Sequence, residues 1–444
     1  MIACFESSKS LEISKETQNP VPSSTLASTA PPTSTTAERR TLSPRIAFAL
    51  VAAIIGLALF ASSTPSPLYA TYRELWGFSP VVLTLVYATY AFGVLASLLL
   101  AGRISDDVGR RPVLLIALTT LMAATILFMV ADSVIWLFVA RGIQGLATGL
   151  ALGAASAALI DLHPRRDPAG VGLTNGVVSA GGLGLGVLVS AAIVEVLPAP
   201  RVLPYVALFV LFAIALAGAV WMPEPIAERS RPRLRPQRPS VPAVARAPFA
   251  LAAVAVISSW SVGGLFMSLG PQLSATLFHT TDHLVAGAGV FALGASAAVA
   301  QILFGRVTPW LGSTLSSIAL AVGLLVIVLA SATNSSALFL TGVIVGGAGF
   351  GVAFLSALRH LSAAIPPAHR AEVMSAFYVV AYASLSLPAI AAGVAVTPLG
   401  LEPTFELFGS IVAGLALVAA GMAWRTRPQR KAVSARPALD AAGA

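Results

Sequence analysis

The chain has 444 residues, of which 57% are hydrophobic and only 10% charged, where a soluble domain carries roughly 25% charged residues. That much apolar surface cannot hide in one soluble core, and it falls in blocks of about 20 residues, the length a helix needs to cross ~30 Å of hydrocarbon. The formal net charge of +9 would suggest nucleic acid in a soluble protein, but the placement of the basic residues excludes that reading.

Residues 1–44 are rich in Ser, Thr and Pro, contain Pro31-Pro32 and show no apolar periodicity. A disordered tail is expected there, without the apolar core of a signal peptide. Cys4 is the single cysteine, so no intramolecular disulfide supports the fold. Met1-Ile2-Ala3-Cys4 has the form of a lipoprotein cleavage site, but no apolar segment precedes it and lipidation is not expected. Twelve apolar segments follow, near 46–68, 80–101, 113–131, 135–160, 170–196, 203–222, 248–270, 284–304, 314–332, 336–358, 373–396 and 403–423. They divide into an N-terminal six-helix bundle (45–222) and a C-terminal one (248–424). The linker between them, 223–247, holds six arginines and the pairs Arg231-Pro232, Arg235-Pro236 and Arg238-Pro239, and reads as extended and solvated. A second tail, 425–444, closes the chain.

Basic residues set the orientation. With both termini in the cytoplasm, 24 of the 27 Lys and Arg fall in cytoplasmic segments, Arg73 and Arg201 fall outside, and Arg141 lies within a span. The positive-inside rule therefore predicts cytoplasmic N- and C-termini, and the charge of +9 marks loops facing anionic lipid.

The loop after the second span reads GRISDDVGRR (102–111), and a faded copy, GRVTPWLG, stands 203 residues later at 305–312. A charged turn recurring in both halves points to a duplicated membrane protein, a hallmark of transporters. Gly93, Gly102, Asp106, Gly109, Arg110 and Arg111 match the pattern G-x8-G-x3-D-[RK]-x-G-R-[RK] of the major facilitator superfamily, and Arg141, Gln144 and Gly145 match its R-x-x-Q-G in the fourth span. From about 45 to 425 the chain resembles that family. The resemblance implies an all-α membrane protein of 12 transmembrane helices in two six-helix bundles. It further implies that the 102–111 hairpin is a cytoplasmic latch for one access state, and that Arg141 takes part in proton transfer or anion contact. Asp107 departs from the pattern, which has Arg or Lys there.

The residues carry their own chemistry. Glycines at 102 and 109 allow a tight turn. Asp106 can cap a helix start or pair with a cation at the junction between halves, while Arg110 and Arg111 anchor the turn at lipid headgroups. Arg141 lies about seven residues into a span, where a charge costs at least ~2.5–3.5 kcal/mol and requires a cavity or a partner. Gln144 and Thr148 share its face. Neighbouring carbonyls would satisfy it equally well, leaving a purely structural role open.

Gly145/Gly149/Gly153, Gly172/Gly176, Gly182/Gly186 and Gly347/Gly351 form ridges for close helix packing. The fifth span has the Gly-rich run 181–186 but lacks the proline of the G-P-x-x-G-G element of drug–proton antiporters. No carboxylate falls near a span centre; Glu195, Asp161 and Glu372 lie near ends, and Glu372 also suits the first turn of its helix. Tyr87, Tyr90, Asn175, Ser258, Trp260, Gln301, Tyr378 and Tyr382 are the candidate cavity lining, suited to a neutral or amphiphilic organic solute. Pro65, Pro67 and Tyr69 are expected to break the first helix into a shaped mouth. His279, Asp282 and His283 fit a solvated loop better than a metal site, and neither a metal nor a cofactor is expected.

The expected function is secondary-active transport of a small organic solute by alternating access, as proton-coupled efflux, with metabolite uptake by symport or uniport as the alternative. A non-transporting sensor on the same fold is a further reading. An enzyme is not expected, because the spans hold no Ser/His/Asp cluster or phosphate loop. The expected partners are the solute, protons and the lipid of the inner or plasma membrane. Nucleic acid is excluded, and a multi-pass monomer is expected.

Overall fold

The computed structural model describes residues 41–163, 167–226, 230, 231 and 236–427. The tail expected at 1–44 lies outside them up to residue 40, as do residues 428–444 and the linker arginines 229, 233 and 235. Fourteen α-helices are described: α1 (Pro44–Ser63), α2 (Tyr69–Trp76), α3 (Pro80–Ala101), α4 (Ile104–Val108), α5 (Arg110–Met129), α6 (Val134–Leu162), α7 (Pro168–Val196), α8 (Leu203–Val220), α9 (Arg246–Leu277), α10 (His283–Phe304), α11 (Pro309–Ala332), α12 (Ser336–Ala364), α13 (Arg370–Leu399) and α14 (Leu401–Arg425). Twelve of them are long and apolar enough to span a membrane. The short α2 and α4 are the exceptions.

The first expected span is shorter than its apolar run. Helix α1 ends at Ser63, where Pro65 and Pro67 remove backbone donors, and the chain restarts as α2 at Tyr69. Prolines recur at the starts of α3, α7, α8 and α11, where a missing N–H costs nothing.

Glycine spacing sets the closest helix contacts in both halves. Gly145 and Gly149 of α6 lie against Gly93, Val94 and Ser97 of α3; Gly347 and Gly351 of α12, each 202 residues later, lie against Leu293, Ser296 and Ala297 of α10. The same backbone approach is thus built twice. Helix α7 uses its glycines on two faces: Gly182 and Gly186 against α1, and Gly184 against Gly294 of α10. Gly172 meets no neighbour within 4 Å, so the expected pair 172/176 packs only through Gly176.

The halves meet along α7 with α10 and α3 with α13. Their apolar cores are arranged unequally. At the end away from the linker, one core spans both bundles, joining Leu68, Tyr87, Phe128 and Leu137 to Val262, Phe266, Leu269 and Leu293. Toward the linker end the cores separate, one around Ile54, Val113, Leu118 and Phe212, the other around Val256, Leu361, Val373 and Phe377. Helices α6 and α12 form no packed interface there.

Substitution separates tight glycines from loose ones. A Cβ at Gly351 would stand 2.6 Å from the Ala297 carbonyl oxygen and 2.7 Å from its Cα, whereas one at Gly414 meets nothing within 4 Å. Gly351→Ala is expected to destabilise by about 1–3 kcal/mol, and Gly414→Ala to be neutral or stabilising by under about 1 kcal/mol. Thermal unfolding of purified protein in detergent checks this, and equal responses at the two sites would contradict the packing.

Candidate functional site

The buried charge in α6 organises the N-terminal half. Arg141 is fully buried, and all its partners are neutral. Its Nε and Nη2 donate to the Tyr69 hydroxyl at 3.0 and 2.6 Å, and its Nη1 donates to the Ser62 carbonyl at 2.8 Å and to Gln144 Oε1 at 2.7 Å. Gln144 Nε2 then donates to the Ala61 carbonyl at 2.9 Å. The last turn of a helix leaves four carbonyls without intrahelical donors. Here Arg141 and Gln144 take two of those of α1, while Thr64 and Ser66 amides take Phe60 and Ser63. The partial negative charge at that helix end offsets part of the guanidinium charge. The rings of Tyr69, Tyr90 and Phe128 complete the enclosure, with centroids 5.6, 5.5 and 5.8 Å from Arg141 Cζ. The R-x-x-Q spacing thus caps the broken first helix. Gly145, the next residue of the motif, lets α3 approach at Tyr90 and Gly93.

Between the joined core and the two separate ones lies a small aromatic cluster drawn from both halves. Tyr90, Ala91 and Val94 of α3 meet Tyr382 of α13, with Trp260, Tyr378 and Leu385 against them. The Trp260 and Tyr382 rings pack edge to face at 5.0 Å, and Trp260 and Phe354 at 5.1 Å. The structure thus brings Tyr90, Trp260, Tyr378 and Tyr382 together, while Tyr87, one turn from Tyr90 on α3, belongs to the joined core. It places the other three elsewhere. Ser258 is fully buried, its hydroxyl donating to the Ala255 carbonyl at 3.0 Å. Asn175 lies toward the linker end, donating to Ser156 Oγ at 2.9 Å. Gln301 lies against Gly176 at the α7–α10 contact.

The motif hairpin forms a second polar hub at the linker end. Arg110 is bonded to Asp106, to Asp161 at 3.1 Å and to Ser105 at 2.8 Å. Asp106 therefore pairs inside the hairpin rather than across the halves. Arg111 also makes an internal contact, donating to the Val220 carbonyl. Gly109 adopts φ +109°, a conformation L residues avoid, beside the Glu224 carboxylate, which accepts from the Arg110 and Arg111 amides at 2.9 and 3.0 Å. Glu224 thus occupies the N-terminus of α5. In the second copy, Arg359 of α12 closes the hairpin on the Gly305 and Val307 carbonyls.

The linker, expected to be extended and solvated, is docked where described. The Ser230 amide donates to the Asp107 carbonyl at 2.8 Å, and the Gln237 amide to the Leu99 carbonyl at 2.9 Å beside Gly102. Ser375 of α13 donates to Gln237 Oε1, so Gln237 touches both halves.

Three polar contacts close the far end. Ser66 Oγ donates to the Met267 carbonyl at 2.7 Å, Arg73 to Gln272 at 3.4 Å, and Glu195 pairs with His283 at 3.1 Å. Asp282 caps α10, and among the described residues no His, Cys, Asp and Glu cluster could hold a metal. Glu372 lies in the first turn of α13 as expected, bonded to His369 at 2.6 Å. Tyr69, Glu224, Gln237 and the Glu195–His283 pair were not singled out in these roles by the sequence. For Tyr69 a signal existed, because a helix broken beside a buried Arg offers it bare carbonyls.

The sequence matches the family model described as Major Facilitator Superfamily over residues 51–387. Among solved structures, the crystal structure of the human organic anion transporter MFSD10 (TETRAN) is similar to this chain. The likeness has a TM-score of 0.63 and 17% sequence identity, covering 86% of this chain and 100% of that one. That likeness is one of fold. No curated protein matches the sequence.

Removing an acceptor from a buried cation costs more than removing a neutral pair. Tyr69→Phe is expected to destabilise by about 2–3 kcal/mol. Tyr72→Phe, which loses one 3.3 Å bond to Tyr205, should cost about 1 kcal/mol or less. Arg141→Lys should resemble Tyr69→Phe or exceed it, because an ammonium lacks the planar fork that serves three acceptors. Unfolding midpoints in detergent give the ranking, and a Tyr69→Phe effect no larger than that of Tyr72→Phe would sink the capping account.

Proposed function

The chain belongs to the Major Facilitator Superfamily, and we propose that this membrane transporter exports a small organic solute by alternating access in exchange for protons. The observation that carries the reading is the unequal pair of ends. One apolar core seals the halves at the far end, the cores part at the linker end, and rings of both halves meet between them. A site open to one side at a time is what alternating access requires. The positive-inside rule puts the linker end and both termini in the cytoplasm, so this state faces inward and is ready to load solute from the cell.

The hairpin residues Gly93, Gly102, Asp106, Gly109, Arg110 and Arg111, with Asp161 and Glu224, act as the latch. Asp107 serves it through its contacts with Ser230 in place of a basic side chain. Arg141, Gln144 and Gly145 hold the broken end of α1 and set the potential at the solute site. The solute lies against Tyr90, Trp260, Tyr378 and Tyr382. Among Asp161, Glu195 and Glu372, Glu195 is the acid whose partner, His283, belongs to the other half. Opening the far end must part that pair, which makes Glu195 the acid we assign to the coupling. The protein works as a monomer in the inner or plasma membrane and carries out no covalent chemistry. One observation favours uniport instead: the described spans hold no acid near their centres.

A growth screen of a deletion strain against toxic organic compounds supplies the solute, and vesicles containing the protein then test coupling. An imposed proton gradient is expected to accelerate solute movement against the proton flow. Flux indifferent to the gradient excludes coupling and leaves uniport. For the far-end pair, Glu195→Gln is expected to lengthen the distance between spin labels placed at Asp132 and Asn334, measured by pulsed electron resonance. Identical distributions in both proteins would remove the pair from the gate.

A further inference from the structure

The charges around the aromatic cluster are lopsided. Arg141 lies 5.5 Å from the Tyr90 ring, and Tyr90 clusters with Tyr382 and Trp260. Every partner of that guanidinium is neutral. The acids of the described spans (Asp161, Glu195, Glu372, Glu402 and Glu406) all stand within two turns of a helix end. The partial charge of about −0.5 at the end of α1 cancels only part of a full positive charge. In a medium of low dielectric the remainder extends into the cluster.

Unused donors also stand at the cluster. Tyr87 and Tyr382 are 4% and 6% exposed, and neither hydroxyl has a hydrogen-bond partner among the described residues. Their side chains come from opposite halves, and Tyr87 lies one turn from Tyr90, which packs against Tyr382. Neither hydroxyl oxygen is among the fully occluded polar atoms without a partner, so each remains reachable, and a hydroxyl facing a ligand site waits for an acceptor. Cation–π attraction is the usual reason for an aromatic chamber to select cations. Here Arg141 already lies at the Tyr90, Tyr69 and Phe128 rings, so a second cation would meet repulsion with no carboxylate to offset it.

Resting on the cluster as the solute site, we propose that the solute is a planar aromatic compound with one negative charge. Its ring packs against Trp260 and the tyrosine rings. Its carboxylate or phenolate accepts from the Tyr87 and Tyr382 hydroxyls. Arg141 attracts it through the field, without touching it.

Three probes of nearly equal shape test the charge: 2-naphthoate, 2-naphthamide and 2-naphthylmethylammonium, titrated calorimetrically into the full chain in lipid nanodiscs at low salt. The expected order is naphthoate at least tenfold tighter than the amide, with the ammonium weakest. Equal affinities, an ammonium that binds tightest, or no binding of any probe overturns the proposal. Arg141 variants are unsuitable because they strike the fold, so the second arm uses Tyr87→Phe and Tyr382→Phe. Each should keep the parent unfolding midpoint, since its hydroxyl has no protein partner, and should reduce the naphthoate preference severalfold. An undiminished preference in both variants overturns the assigned donors. Counterflow of the same probes in proteoliposomes separates this proposal from transport itself. Counterflow without anion preference refutes the charge selection and upholds the transporter; selective binding without counterflow does the reverse.

Discussion

A guanidinium enclosed in hydrocarbon must satisfy its donors within the protein, and Arg141 does so on the broken end of α1. The two features explain each other. Pro65 and Pro67 stop α1 below the far surface and leave carbonyls bare at membrane depth, where each unsatisfied polar group costs several kcal/mol. Arg141 and Gln144 meet them, and the negative helix end with three surrounding rings makes the charge tolerable. Tyr69, restarted as α2, turns its hydroxyl back onto the same arginine. The turn between α1 and α2 then reaches across to Met267 through Ser66, so the far-end closure leans on this capped break.

The duplication shows where the halves kept one solution and where they diverged. Backbone contact needs only small residues at a fixed spacing, and Gly145/Gly149 and Gly347/Gly351 retain it. Charge placement is freer. The position in α12 that corresponds to Arg141 holds Val343, buried in the joined core. The first hairpin is closed by an acid of α6 acting on Arg110, the second by an arginine of α12 acting on carbonyls. The C-terminal half contributes Trp260, Tyr378 and Tyr382 instead, so the aromatic cluster has a full charge beside it only on its N-terminal side.

Hydropathy made the twelve spans legible, because bilayer thickness dictates a length that composition can meet in few ways. Arg141 was legible by its cost, and the glycine ridges by their spacing. What stayed hidden depends on which faces converge. Tyr90 and Tyr382 meet across the two halves, and helix phase within each span says nothing of that meeting. The apolar run of the first span continues through the prolines and so overstates the helix, which ends at Ser63. Glu195 stands at a helix end and His283 follows a loop in the other half, and nothing in their spacing along the chain signals that they pair. The linker misled in another way. Prolines and arginines mark solvated chain, yet a polar segment also suits backbone bonds to a hairpin, and Glu224, Ser230 and Gln237 use it so.

The unequal cores bear on how much free energy a solute must supply. Opening the far end would expose the joined apolar core, at roughly 25 cal/mol per Å². The residues of the two separate cores are already buried within their own bundles, and polar contacts at each end add to the balance. Those are few: Ser66–Met267, Arg73–Gln272 and Glu195–His283 on one side, and the bonds of Gln237 on the other. Reversing a two-state population from 1:99 to 99:1 takes about 5.5 kcal/mol of differential binding. A few such contacts lie within that range, so the differential binding of a small solute is of the size needed to move them.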